Sequence, residues 1–143
     1  MVRMLKKIKM IEYDSIGSTN AEAKRYALSC EDFEPVLFVA REQSAGRGRL
    51  GRSFLSRGGK GIYMSLLYFT DKALCDAISV TTAAAAFTAQ AIETAIGAEM
   101  KIKWVNDIYN EHGKVAGILT ETVTASGKNA IVVGIGINTG VSD

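Results

Sequence analysis

The glycine-rich stretch GRGRLG, Gly46 to Gly51, opens no helix, and this excludes the fold that its letters suggest. Gly46, Gly48 and Gly51 stand in the order G-x-G-x-x-G of the dinucleotide-binding fingerprint. An apolar run, VLFVA at Val36 to Ala40, precedes them, and Asp71 follows Gly51 by 20 residues, where a ribose-binding acid would be sought. The fingerprint works because the pyrophosphate rests on the N-terminus of the helix that comes next. Here the chain continues RSFLSRGGKG, without helical period, and then enters the strand-like GIYMSLLYF, Gly61 to Phe69. A strand, a loop and a strand do not make the βαβ unit of a dinucleotide site.

The remaining segments mix strand, helix and hairpin signals without regular alternation. KMIEYD, Lys9 to Asp14, alternates apolar and polar residues and reads as a first strand. After the turn SIGSTN, Ser18 or Thr19 caps a helix that runs to about Ser29. Pro35 breaks the chain before Val36 to Ala40, a strand apolar enough for burial on both faces. Asp76 to Ile96 is a helix dominated by alanine, expected to pack on a sheet along most of its length, and Gly97 ends it. KIKW is a short strand and VND a turn. IYNEHGKVAGILTETV is a hairpin whose connection NEHG uses Gly113 for a positive φ. AIVVGIGIN, Ala130 to Asn138, is a last buried strand. The pattern predicts an α+β fold, a mixed and largely antiparallel sheet with packed helices. With 48% hydrophobic and 22% charged residues, the 143-residue chain suits one domain and excludes disorder.

The net charge of +2 is too small to argue for nucleic acid by itself. Its distribution is uneven: Arg41, Arg47, Arg49, Arg52, Arg57 and Lys60 face Glu42 alone between positions 41 and 60. Glycines let the backbone approach a ligand closely, and guanidinium groups pair bidentately with phosphate or carboxylate. By itself the loop admits three readings. It is a clamp, mobile when empty, that closes over a small anion; a solvated basic loop; or a nucleic-acid contact. Cys30 and Cys75 lie far apart without a CxxC partner, so free thiols in a reducing compartment are expected, with no zinc site. The N-terminus lacks the apolar core of a secretory signal, and Asp76, Gln90 and Glu93 interrupt the alanine-rich run. A cytoplasmic protein that does not enter a membrane is expected.

The loop is one of six motifs in order: STN (Ser18 to Asn20), EQSAGRGRLGRSF, GIYMSLL, KWVNDIY, GKVAGILTE and VVGIGIN. This set resembles the catalytic domain of biotin protein ligases (biotin–acetyl-CoA-carboxylase ligases), from about residue 10 to about residue 140. The related lipoate ligases share the fold but lack the GRGRLGR loop. The resemblance implies an ATP-dependent ligase. Biotin's carboxylate attacks the α-phosphate of ATP, giving biotinyl-adenylate and pyrophosphate. A lysine of a biotin carboxyl carrier protein domain of a carboxylase then takes the acyl group and releases AMP. Magnesium is normally required. A non-catalytic biotin- or adenylate-binding fragment, and a lipoate-ligase-like acyl-adenylate enzyme, are the alternatives.

The resemblance also implies roles for residues. Two anions must meet in this reaction, so fixed positive charge has to offset their repulsion. Arg47, Gly48 and Arg49 are expected to line biotin and the adenylate, with Arg52 nearer the phosphates. Lys114 would reach the reacting carboxylate and α-phosphate as a charge, not as a nucleophile; a solvated hairpin lysine is the plainer reading. Ser18, Thr19, Asn20 and Gln43 would hydrogen-bond the ureido ring, although Ser and Thr here also serve as helix caps. Asn106 and Asp107 would face the nucleotide, with Asp107 a candidate magnesium ligand; alone they make an Asx turn. Phe54 would stack on adenine, in a place where the family often has Trp, and Asn138 would lie near the adenosine or its phosphates. Trp104 is read as core and His112 as solvated. Family members continue with further helices and usually an SH3-like barrel, and some begin with a helix-turn-helix. The expectation is therefore a partial catalytic domain over 1–143, without a DNA-binding or SH3-like domain. No DNA partner is expected, and a homodimer is compatible with the sequence.

Overall fold

In the computed structural model, residues 8–71, 77–125 and 127–140 are described. The strands are β1 (Lys9–Ile16), β2 (Val36–Gln43), β3 (Gly61–Thr70), β4 (Lys101–Lys103), β5 (Asp107–Asn110), β6 (Gly113–Ala125) and β7 (Lys128–Asn138). Helix α1 (Thr19–Ser29) joins β1 to β2, and α2 (Ala77–Ile96) lies between β3 and β4. The seven strands make one sheet in the order β1-β2-β3-β7-β6-β5-β4. β1 and β2 run parallel, as the α1 crossover between them permits, and the other neighbours are antiparallel. The expected mixed, largely antiparallel sheet is present. Asp76, the expected start of the second helix, and Cys75 lie outside the described residues.

The two helices cover opposite faces, because successive strand residues point opposite ways. On β7, Ala130 and Val132 pack with Ala23 and Ala27 of α1, together with Val36, Phe38 and Leu67. Ile131 and Val133 turn the other way and pack with Ala85 of α2 and Ile118. Fully buried side chains such as Phe38 and Leu67 each contribute about 1.5–3 kcal/mol by leaving water. Helix α1 starts as expected: the extended Ser18 caps it, its hydroxyl accepting from the Ala21 N–H at 3.3 Å.

Two burial expectations need correction. Helix α2 buries Thr81, Ala85, Thr88, Ala89 and Ile92 as a single stripe, while Ile78, Phe87 and Ile96 are exposed. An alanine-rich composition carries little directional signal, so the sequence overstated how much of the helix is covered. On β2, Val36, Phe38 and Ala40 are buried but Leu37 and Val39 only half so, because α2 packs over β4, β5, β6 and β7, toward the end of the sheet away from β2. Among the described residues, no helix is long and apolar enough to cross a membrane.

Candidate active site

The Gly-Arg loop folds back on itself as a tight hairpin. Arg47 and Ser53 pair as a bridge; the Gly48 N–H donates to Arg52 O at 2.7 Å and the Phe54 N–H to Gly46 O at 2.9 Å. A single 3₁₀ turn, Arg49–Gly51, forms its tip, with Leu50 left-handed (φ 58°) and 88% exposed. The sequence showed no such turn, since a leucine there argues against positive φ. Gly46 is required by close approach: a Cβ there would stand 2.3 Å from Phe54 O. Across the cavity, Arg49 Nη1 donates to Asn106 Oδ1 at 3.3 Å, tying the loop to the turn before β5.

Beneath the loop is a cavity of about 190 Å³ on the α1 side of the sheet. Its wall is polar and tightly bonded. Gln43 Oε1 accepts from the Thr19 N–H at 2.8 Å and lies 3.0 Å from Thr19 Oγ1. Gln43 Nε2 donates to Ser56 Oγ at 2.8 Å. Behind Thr19 and Asn20 sits Ser65, fully buried, with its hydroxyl 2.8 Å from Thr19 Oγ1 and 2.6 Å from Asn20 Oδ1. Asn20 Nδ2 donates to Leu119 O at 3.2 Å and to Glu121 Oε2 at 2.9 Å, and Lys24 holds the other Glu121 oxygen at 2.8 Å. Burial raises the Glu121 pKa, but the bonds from Lys24 and Asn20, with the charges of Lys24 and Arg47, outweigh it and hold the carboxyl below its ordinary range.

The floor is made of glycines. At Gly134 a Cβ would meet Asn20 Oδ1 at 2.2 Å, and at Gly136 it would meet the Phe54 ring at 2.5 Å. These positions of GIGIN are small so that a helix side chain and a loop side chain can touch the strand. Phe54 lies edge-on to Tyr63 and beneath the Lys114 ammonium, 5.7 Å from the ring centroid.

Lys114 reaches this face through a β-bulge. The register of β5 against β6 slips between Ile108 and Tyr109, and the consecutive residues Val115 and Ala116 both pack into the α2-side core. Alternation is broken there, so Lys114 emerges on the cavity side. Its ammonium stands 2.9 Å from Asp107 Oδ1, an ion pair; that buried oxygen has no aligned hydrogen bond.

Thirteen residues were singled out from the sequence. Ser18, Thr19, Asn20, Gln43, Arg47, Gly48, Arg49, Arg52, Phe54, Asn106, Asp107 and Lys114 all line the cavity. Asn138 does not; it is exposed, and its Nδ2 donates to the Lys114 carbonyl at 3.3 Å, steadying that strand end. Trp104, expected in the core, is 73% exposed. His112 is exposed as expected. Sequence reasoning missed Ser65, Glu121 and Lys24; a serine inside the apolar run GIYMSLLYF was the available sign. Among the described residues, no three His, Cys, Asp or Glu side chains cluster as a metal site.

A mixed sheet with a cationic Gly-Arg hairpin folded over a glycine floor, and a bulge-presented lysine facing it, places the chain in the fold class of the cofactor–protein ligases. The chain belongs to the biotin/lipoate A/B protein ligase family, whose model matches residues 13–138. It is 40% identical over 130 residues to the bifunctional ligase/repressor BirA of Bacillus spizizenii, covering 90% of this chain and 40% of that protein. It is 41% identical over 123 residues to the biotin–[acetyl-CoA-carboxylase] ligase of Paracoccus denitrificans, covering 85% and 50%. The biotin protein ligase of Aquifex aeolicus, solved in complex with biotin and ATP, superposes with a TM-score of 0.70 at 28% identity, over 94% of this chain and 54% of that one. The chain thus spans about half or less of the length of these relatives.

Proposed function

We propose that this chain is the biotin-activating part of a biotin protein ligase. It joins biotin to AMP at the expense of ATP and passes the biotinyl group to a lysine of a carrier protein domain. The observation that carries this reading is the convergence of four cations, Arg47, Arg49, Arg52 and Lys114, with the neutral Thr19–Gln43 wall on a single cavity. A neutral ureido ring needs paired donors and acceptors, and a carboxylate meeting a triphosphate needs fixed positive charge.

In the first step, an oxygen of the biotin carboxylate bonds to the α-phosphorus as the bond to pyrophosphate breaks. Lys114 and the loop arginines offset the negative charge that both anions bring and hold them in line. In the second step, the carrier amine attacks the acyl carbon and AMP leaves. The hairpin over the cavity limits water's access to the anhydride between the two steps. A magnesium ion fits Asp107 in a restricted sense. Its buried Oδ1 is paired with the Lys114 ammonium at 2.9 Å, a pair the ion would have to share, and magnesium takes one or two carboxylates plus substrate phosphates. There it would neutralise phosphate charge.

The test is biotin-dependent exchange of labelled pyrophosphate into ATP by the 143-residue chain. Exchange that requires biotin is expected. Biotin binding without exchange points to the binding-fragment alternative, and exchange driven by lipoate but not biotin to the lipoate alternative.

A further inference from the structure

The Gly-Arg hairpin has few means of holding its place. Its glycines free the backbone and its arginines repel one another. Two polar ties reach from it across the cavity, the 3.3 Å bond from Arg49 to Asn106 and the pull of the Glu121 charge on Arg47. Both arginines are exposed, and such ties are weak in water. Of the three apolar side chains in residues 46–57, Leu50 and Leu55 are exposed and Phe54 is half-buried. The Phe54 ring enters a slot that the sheet leaves for it. Tyr63, Gly136 and Gly117 are register partners across β3, β7 and β6, so they stand side by side on the α1 face. A Cβ on Gly136 would come within 2.5 Å of Phe54 Cε1 and 2.7 Å of Cζ, and one on Gly117 within 3.3 Å of Cε2. These carbons form the far end of the ring, which takes the room that two side chains give up. Tyr63 borders the slot, its ring near-perpendicular to that of Phe54 with centroids 6.4 Å apart. Its hydroxyl donates to Arg57 O at 2.9 Å, at the foot of the hairpin's return arm.

We propose that Phe54 is a positioning residue that locks the hairpin into the glycine slot and so keeps Arg47, Arg49 and Arg52 over the cavity. The same ring lies under the Lys114 ammonium, 5.7 Å from its centroid, so seating the hairpin and seating the lysine are one event. Ring and slot both belong to this chain, so the anchor needs no ligand. Its use in the reaction rests on the ligase reading, in which these cations offset the charge of two anions. Stacking on adenine, the role that the resemblance implies for Phe54, makes a different demand. It needs nucleotide, and it gives Gly136 no part in holding the hairpin.

Limited trypsin digestion of the ligand-free chain tests this, because trypsin cuts after arginine and a tight hairpin must open before it is cut at Arg47, Arg49 or Arg52. Digestion is run well below each variant's melting transition, which also confirms folding. Phe54→Ala removes the ring and Gly136→Ala fills its seat. Each is expected to speed cleavage at these sites about tenfold or more. The double variant is expected to be cut no faster than Phe54→Ala, since no ring is left to displace. Calorimetric titration with biotin should follow the same pattern. Each single variant binds about tenfold more weakly, as the closed hairpin becomes the minor form, and the double variant binds no more weakly than Phe54→Ala. Cleavage of either folded single variant at the wild-type rate overturns the proposal; if Phe54→Ala then raises only KM for ATP, the ring serves the nucleotide. Losses that add up in the double variant, in cleavage or in affinity, also overturn it, because Gly136 then acts without the ring. If Gly136→Ala does not fold, the cleavage of Phe54→Ala decides alone. Failure of the wild type to bind biotin overturns the ligase reading and leaves the anchor to the cleavage result.

Discussion

Strands β6 and β7 have two faces that do different work with the same backbone. Toward α2, Ile118, Ile131 and Val133 meet Ala85 in an apolar layer whose one polar contact of note is Thr81 Oγ1 with Thr120 Oγ1 at 2.8 Å. Toward α1, the alternate positions Leu119, Glu121, Gly134 and Gly136 carry the bonds and clearances of the cavity. The α2 face is apolar apart from its paired threonines; the α1 face shares an apolar core with α1 and, beside it, holds a polar wall whose buried groups are hydrogen-bonded to one another. Stability and chemistry are thus separated by the period of the strand. Lys114 crosses from one face to the other only because a bulge breaks that period.

The sharpest break of this comparison removes the crossing residue. Lys114→Ala is expected to lower biotin-dependent pyrophosphate exchange by about 10²–10³-fold, as for other groups aimed at developing charge. Its melting temperature should barely move, since the side chain is 36% exposed. A large loss of stability with little loss of exchange would reverse the assignment of the two faces.

On the opposite face the readouts exchange places. Ile118 is 1% exposed, and Ile118→Ala should cost about 2–5 kcal/mol in urea unfolding, through lost transfer energy and the cavity left behind. Exchange measured well below the unfolding transition should remain. Loss of exchange at full folding would show that the layers are coupled.

A smaller effect comes from acid. Glu121 has a folded pKa below its unfolded value, so its pairing contributes stability that is fully present above the unfolded pKa, about 4.3, and is lost as pH falls through the folded value. Glu22 is also held low, first by its hydrogen bond from Arg25, and acts in the same window. The drop in melting temperature between neutral and strongly acidic pH should therefore shrink in Glu121→Gln without vanishing. An unchanged drop would remove Glu121 from the account.

Much of the site was legible because it is written in local segments. The Gly-Arg loop could not be a dinucleotide turn, since no helix followed it, and STN, GRGRLGR and GKVAGIL named most of the cavity wall. What escaped depends on contacts far apart in the chain. Asn20 meets Leu119 and Glu121 at separations of 99 and 101 residues, so although the motif GKVAGILTE ends on Glu121, no local pattern gives it that partner. The exposure of Trp104 was missed because an aromatic residue beside a short strand gives no sign of which side is covered.

The sequence by itself determined the elements, the mixed sheet and the family, because alternation, caps and short motifs act over a few residues. Tertiary structure alone decided that one helix covers each face and that the bulge at Val115 turns Lys114 into the cavity. It also brought a buried serine, an asparagine and a distant glutamate into one hydrogen-bonded chain. Each of these rests on which residues become neighbours after the sheet closes, and a sheet ordered β1-β2-β3-β7-β6-β5-β4 makes neighbours of segments that the chain keeps apart.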